Sequence, residues 1–535
     1  MYATIPEFFS HTVKQFPDRV ALRNARQQIG EPKEITYSEL AHLTEALASG
    51  LAGIGIEKGD KVAIMSRPRI GFAAAFLALA RLGAWALPLD PTFTASETGF
   101  ILGQAEAKAV FAPGRLRERL PQDGPTIIDL DDGADGTPLS ELITESRTEA
   151  ADVRPSDVAV LAYTSGTTGG SKGVMLSHAN LTADIEACLA AMPIDENDTF
   201  LTIAPWHHIL GLTTAFLLPI YTGALTIYTD DYRSIAQQLL ENSVTIFTGV
   251  PKLYHAMFEK LIYQIKGTLT GRIGHALAPR LVGKKVRKKL TGGSLRFFVS
   301  GSAPLDPQVS MGFRRLGIGM LEGYGLTETS PVVSFCAPFS PKAGSVGRPL
   351  PTVEVKLTDT APDGVGELLV RGPTLMQGYY KNDEATRRVL DGEGWFHTGD
   401  LALIDDDEEI FLKGRVKNVI VLPNGKNVYP EELEWEIARI PYVEEVLVKG
   451  ATKNGQETVV AVIYPNEERL NDDGLAEDPV GAMWKEIKER QRRLAPHKRL
   501  RGKDRVTIAD KPFPKTSTMD IKRHLYKGGN DVSDH

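Results

Sequence analysis

Tyr163-Thr-Ser-Gly-Thr-Thr-Gly-Gly-Ser-Lys-Gly-Val174 is the stretch whose reading decides the fold. An apolar run of β type, Val158-Ala-Val-Leu-Ala-Tyr163, leads into it. A helix-period pattern follows, in which Leu181, Ile185, Leu189 and Met192 share one face behind an N-capping Ser177. Between strand and helix lie four glycines, five hydroxyls and one lysine. Glycines let backbone N–H groups come close to an anion, hydroxyls donate to its oxygens, and Lys172 adds positive charge. The stretch reads either as a solvated connection or as a polyphosphate loop. It is neither of the commonest nucleotide loops, because Lys172 follows Ser171 rather than glycine and no G-x-G-x-x-G spacing fits.

Upstream, helix and strand signals alternate. Ser38 to Leu51 reads as helix, Lys61–Met65 as strand, Phe72 to Leu82 as helix and Ala84–Leu89 as strand, with further strands at Ala224–Tyr228, Val244–Thr248 and Leu295–Ser300. Such alternation predicts an α/β fold whose large N-terminal part holds parallel-rich sheets flanked by helices. Parallel sheets bind ligands beyond the carboxyl ends of their strands, so the loops after these strands are where chemistry is expected.

With 535 residues the chain exceeds a single core, and 42% hydrophobic with 24% charged residues is ordinary for a globular protein. A net charge of −7 gives no reason to expect nucleic acid. Cys188 and Cys336 fit neither a metal cluster nor a disulfide framework. The start lacks a signal-peptide pattern, and the most apolar window, Ile70 to Leu89, is broken by Arg81, Gly83 and Pro88. A cytoplasmic protein without a spanning segment is expected. Gly283-Lys-Lys-Val-Arg-Lys-Lys289 reads first as a solvated helix face, and secondarily, over 284–289, as a weak contact for a membrane surface or for coenzyme A phosphates.

The order Tyr163–Val174 resembles the phosphate loop of the adenylate-forming superfamily, which comprises acyl-CoA synthetases, luciferases and peptide-synthetase adenylation domains. Later stretches resemble it in the family's order: Ala204-Pro-Trp-His-His-Ile209, Ser300-Gly-Ser-Ala-Pro304, Leu321-Glu-Gly-Tyr-Gly-Leu-Thr-Glu-Thr329 and Gly394-Trp-Phe-His-Thr-Gly-Asp400. Residues 295–350 look most like the long-chain fatty acid–CoA ligase branch. The resemblance implies an ATP and AMP site from Thr164, Ser165, Gly166, Thr167, Thr168, Gly169, Lys172, Ser302, Ala303, Pro304, Glu322, Gly323, Tyr324, Gly325, Thr327, Asp400 and Arg415. Tyr324 would stack on adenine, Asp400 and Arg415 would grip the ribose, and Glu328 with Thr168 would hold Mg²⁺. It further implies an acyl wall from Trp206, His207, His208, Gly211, Gly249, Val250, Tyr254 and Gly301, with His208 near the acyl carboxylate. Gly425, Lys426 and Asn427 would lie on the coenzyme A side, and Lys417 would be the hinge residue. The implied division is 1–414 for the large domain, 415–417 for the hinge and 418–535 for a small mobile α+β lid.

One departure matters. The family ends with a lysine that bridges carboxylate and α-phosphate, but here Pro514-Lys-Thr-Ser-Thr-Met-Asp-Ile521 puts Asp520 at that position. At ~4 Å and an effective dielectric of ~20, a like-charge contact costs roughly 4 kcal/mol before screening. Lys515 and Lys522 are the neighbouring cations that could substitute. The expected function is an AMP-forming acyl-CoA ligase using ATP, Mg²⁺ and coenzyme A on a fatty or similarly apolar acid. The alternatives are an adenylating enzyme that loads a carrier-protein thiol, and a non-catalytic nucleotide- or acyl-binding protein. A homodimer is left open.

Overall fold

The computed structural model describes residues 2–26, 31–133, 136–145, 148–164, 171–267, 279–301, 303–453, 456–515 and 521–526. The expected residues Ser165, Gly166, Thr167, Thr168, Gly169, Ser302 and Asp520 lie outside them.

Two large sheets dominate. In the nine-stranded sheet, Val20–Asn24, Leu225–Tyr228, Thr199–Thr202, Ile246–Gly249, Phe297–Ser300 and Gly319–Gly325 run parallel as successive neighbours. In the eight-stranded sheet, Val158–Thr164, Trp85–Leu89, Lys61–Met65, Ala107–Ala112, Thr126–Asp129 and Thr137–Pro138 do the same. The helix Ile70–Leu82 is apolar almost all round and buried at every position except Arg81, as expected of a helix packed on several sides. Its Phe72 and Phe76 share one core with Val62 and Ile64 of the second sheet and Phe200, Tyr228 and Ile246 of the first. Complete burial of such a side chain stabilises the fold by about 1.5–3 kcal/mol.

The expected strands and helices stand where the pattern put them, with one addition. Lys172–Ser177 is itself a strand, returning antiparallel to Val158–Thr164 with Thr164 opposite Lys172. Lys172 therefore sits at the mouth of a hairpin rather than in a direct strand–helix connection. Ser177 then caps the helix His178–Ala191 by accepting from Asn180 N–H. The short strand Gly378–Tyr379 extends the hairpin edge, with Tyr379 opposite Val174.

A four-stranded antiparallel sheet, Glu354–Thr358, Gly366–Arg371, Phe396–Ile404 and Ile410–Arg415, completes the large part. A separate core begins at Ile420 and is built on the helices Pro430–Ile437 and Pro479–Arg490 and the sheet Val443–Lys453, Gln456–Pro465, Val506–Ile508. The two parts touch through Arg439, whose Nε lies 2.9 Å from Asp306, and through Lys252 and Glu444 at 3.6 Å. Asp306 also accepts from Gln308 N–H at 2.7 Å and so caps the helix Pro307–Arg315.

The basic run lies on the helix Pro279–Thr291, with Lys284, Lys285, Lys288 and Lys289 exposed. Gly283 is needed there because a Cβ would lie 1.4 Å from the Leu316 carbonyl oxygen. Among the described residues, no helix is long and apolar enough to cross a membrane.

Candidate active site

Because their central strands are parallel, each large sheet delivers its strand-ending loops along one edge. Asp90 follows Leu89 in the second sheet. His207 and His208 follow Thr202 in the first, as do Val250 after Gly249, Gly301 after Ser300 and Thr327 after Gly325. The edges meet: His207 Nε2 lies 3.7 Å from Asp90 Oδ2.

A second meeting joins the hairpin to the loop after Gly319–Gly325. Tyr379 donates its hydroxyl to Glu328 at 2.8 Å, and Lys172 Nζ stands 4.8 Å above the Tyr379 ring. Met376 N–H also donates to the Glu328 carbonyl oxygen. Lys172, Glu328 and Tyr379 are thus brought together, although Tyr379 had carried no signal of its own in the sequence. Only the pairing of Gly378–Tyr379 with the hairpin gives it this place.

The third meeting brings in the antiparallel sheet. Asp400 and Arg415 are cross-strand partners, and Arg415 Nη1 lies 2.9 Å from Asp400 Oδ1. Tyr324 donates its hydroxyl to the other Asp400 oxygen at 2.7 Å. Thr398 holds the turn, accepting from Asp400 N–H and from Arg415. Burial pushes the Asp400 carboxyl up, while Arg415 and then the Tyr324 hydroxyl oppose it. Burial likewise raises the Tyr324 phenol, and the Asp400 charge adds to that. Such a carboxylate–guanidinium pair offers one acceptor and one set of donors side by side.

Other expected residues are employed differently. The carboxylate of Glu322 is buried against Arg314 at 3.0 Å, so only its backbone is left to meet a nucleotide. Trp206 is fully buried, stacked on Phe216 at 4.7 Å and flanked by Phe72 and Tyr228, and belongs to the main core rather than to an open wall. Tyr254 is buried between Phe247 and Phe298, its hydroxyl oxygen 2.8 Å from both the Phe247 and the Val299 carbonyl oxygens, either of which can accept its one proton. Both were expected to line the acyl space. They instead pack inside the protein, Trp206 against Phe216 and Tyr254 against Phe298.

His207 and His208 are mostly buried with rings 4.5 Å apart. Burial lowers both imidazoles, His207 down to about 3 with the help of His208. Gly211 permits the turn above them, since a Cβ would sit 2.2 Å from the Pro205 carbonyl oxygen. Gly301 lies against Leu210, whose Cδ2 would be 2.8 Å from a Cβ there, and a Cβ on Gly249 would stand 3.0 Å from the Tyr254 hydroxyl. Ala303 and Pro304 are exposed beside them. Lys417 is exposed in the turn Val416–Asn418. Gly425, Lys426 and Asn427 lie in the hairpin formed by Ile420–Val421 and Asn427–Val428, in the small part.

The "AMP-binding enzyme" family description matches residues 9–380, and "AMP-binding enzyme C-terminal domain" matches residues 417–527. The chain belongs to the AMP-binding enzyme family. This AMP-binding enzyme is 30% identical to "Long chain acyl-CoA synthetase 7, peroxisomal" of Arabidopsis thaliana, over 97% of its own length and 84% of that protein's. It is 31% identical to a long-chain-fatty-acid–CoA ligase of Mycobacterium bovis, over 78% of this chain and 76% of that one. Among solved structures it resembles ATP-bound MatB from Rhodopseudomonas palustris, with a TM-score of 0.79, 26% identity and 98% of each chain covered. The AMP-binding enzyme is an acid–thiol ligase by family, and its likeness to the long-chain branch agrees with these relatives.

Proposed function

We propose that this AMP-binding enzyme is an AMP-forming acyl-CoA ligase acting on a fatty or similarly apolar carboxylic acid, with ATP and coenzyme A as co-substrates. The observation that carries the reading is the union of Tyr324, Asp400 and Arg415 in one hydrogen-bonded set, an aromatic ring beside a paired acceptor and donor. Adenine and ribose need that combination.

In the first step a carboxylate oxygen attacks the α-phosphorus of ATP, the bond to the bridging oxygen breaks, and pyrophosphate leaves. Two anions meet, so donors and cations must already stand in place. Lys172 and the glycine-rich turn supply them for the phosphates, Thr327 donates to the phosphate chain, and His208 stands at the acyl carboxylate. Glu328 and Thr168 would hold Mg²⁺, which would neutralise phosphate charge. The half-buried Glu328 carboxylate, already oriented by Tyr379, is the hard oxygen donor that ion prefers. In the second step the sulfur of coenzyme A, having lost its proton, attacks the acyl carbonyl, and AMP leaves.

The small part turns between the two steps about residues 415–417, with 1–414 as the large domain and 418–535 as the lid. The change of core between Ile410 and Ile420 supports this division. Closure keeps water from the mixed anhydride. Gly425, Lys426 and Asn427 face the thiol substrate after the turn. The lid carries Asp520 where the family has its bridging lysine, which slows the first step.

A fatty acid is favoured over an aryl acid by the long-chain relatives. The acyl space lies among His208, Gly211, Gly249, Val250 and Gly301. The protein acts in the cytoplasm. The exposed lysines of Pro279–Thr291, with exposed Leu281 on the same helix, suit anionic lipid headgroups. The deciding experiment follows acyl-AMP, acyl-CoA and pyrophosphate separately across a panel of straight-chain and ring acids. Acyl-CoA from fatty acids bears the proposal out. Acyl-AMP alone points to a carrier-protein thiol, and nucleotide binding without either product points to a non-catalytic protein.

A further inference from the structure

Asp90, His207 and His208 come together from the ends of strands in two different sheets, and the chemistry above asks nothing of Asp90. One donor atom from each of the three lies within 4.8 Å of the other two. The approach of His207 Nε2 to Asp90 Oδ2, at 3.7 Å, is too long for a hydrogen bond. It is close to the spacing of two donors on one ion, since bonds of about 2.1 Å at tetrahedral angles set neighbouring donors roughly 3.4 Å apart.

The surroundings fit a ligand set. Asp90 Oδ1 accepts from Thr92 N–H at 2.8 Å and from the Thr92 hydroxyl at 2.7 Å, which fixes the carboxylate and leaves Oδ2 turned to His207. Ligating carboxylates are commonly held in this way by a second set of groups. The side chains of Asp90 and His207 are 7% and 9% exposed, so an ion between them would be shielded from solvent.

We propose that Asp90, His207 and His208 form a binding site for one divalent transition cation of the zinc class. Two imidazole nitrogens and one carboxylate oxygen make a three-ligand set for such an ion, with a fourth position for water or for a carboxylate substrate. This site is distinct from the Glu328 position assigned to Mg²⁺; it shares His208 with the proposed acyl-carboxylate position, and its test reads metal binding rather than ligase activity.

The test uses the full-length protein, stripped with a chelator and titrated with Co²⁺ alone, then with Zn²⁺ in competition. One equivalent of Co²⁺ is expected to give the intense visible band of tetrahedral coordination, and Zn²⁺ to abolish it. Asp90→Asn and His207→Ala are each expected to weaken binding at least about tenfold. His255→Ala, which removes an exposed pair with Glu259 at 3.3 Å, is expected to leave it unchanged. Should His207→Ala fail to fold, His207→Gln and Asp90→Asn carry the same comparison, with the Zn²⁺-induced rise in Tm as readout. Absence of the band, persistence of tight binding in Asp90→Asn, or its loss in His255→Ala overturns the proposal.

Discussion

Lys515 donates its ammonium to Glu445 at 2.5 Å, with its side chain three-quarters buried. Lys515 also pairs with Ile521 in an isolated antiparallel bridge. The nearest upstream cation to position 520 is therefore already committed to the strand Val443–Lys453. Lys515→Ala is expected to leave adenylate formation within about threefold of its starting rate, because the salt bridge is structural. Asp520→Lys is expected to raise pyrophosphate release by orders of magnitude, since it replaces a repulsion of roughly 4 kcal/mol by an attraction. Thioester formation from supplied acyl-adenylate is expected to change little. Single-turnover assays of each half-reaction decide it, and equal effects on both would sink the assignment of that position.

Loss of the Asp400–Arg415 pair is expected to weaken AMP binding in a graded way. Charge-assisted hydrogen bonds contribute about 1.5–3 kcal/mol, so Asp400→Asn or Arg415→Ala should raise the Kd about 10- to 100-fold. Tyr324→Phe keeps the ring and removes the hydroxyl on Asp400, and should cost only about 1 kcal/mol. Calorimetric titration with AMP separates the three. A Tyr324→Phe defect as large as that of Asp400→Asn would contradict the expected order.

Glu328 and Tyr379 should separate by their dependence on magnesium. Glu328→Gln is expected to lower kcat/KM on the order of 100-fold and to raise the Mg²⁺ concentration needed for half-maximal rate. Tyr379→Phe, which only frees the carboxylate to turn, should give about a tenfold loss with the same direction of shift. The check is initial rates over a magnesium series at fixed ATP.

His178 provides a pH test unrelated to chemistry. It is buried at the start of its helix, Nδ1 accepts from Ile5 N–H at 3.4 Å, and burial lowers its pKa from 6.5 to about 4. The folded-state value is depressed, so below pH 6.5 the unfolded chain takes up a proton that the folded one refuses. Stability is full above about pH 6.5 and falls by about 3 kcal/mol as the pH reaches 4. His178→Gln should flatten that part of the pH dependence. Denaturant titrations of both proteins from pH 7 to pH 4 measure it.

Much of the large domain was legible because its strands are short apolar runs punctuated by glycine and proline, as in Lys61–Met65 and Trp85–Leu89. The return strand Lys172–Ser177 was hidden because its Lys-Gly start belongs chemically to the loop before it, while its pairing lies with residues 158–164. The roles of Trp206 and Tyr254 were equally hidden. A large aromatic beside a loop reads alike whether it faces a ligand or fills a core, and only the contacts with Phe216 or Phe298 decide. Tyr324, Asp400 and Arg415 were found as motif members, but that one hydroxyl binds one carboxylate across 76 residues required the fold.

Asp306 takes part in two structures at once, the first turn of Pro307–Arg315 and the contact with Arg439. The start of that helix lies only a few residues beyond Gly301 in the chain. A movement of the small part that parts Arg439 from Asp306 would rebalance the charge at that helix end. The charge at the start of Pro307–Arg315 is thereby tied to where the small part sits, with one aspartate as the link.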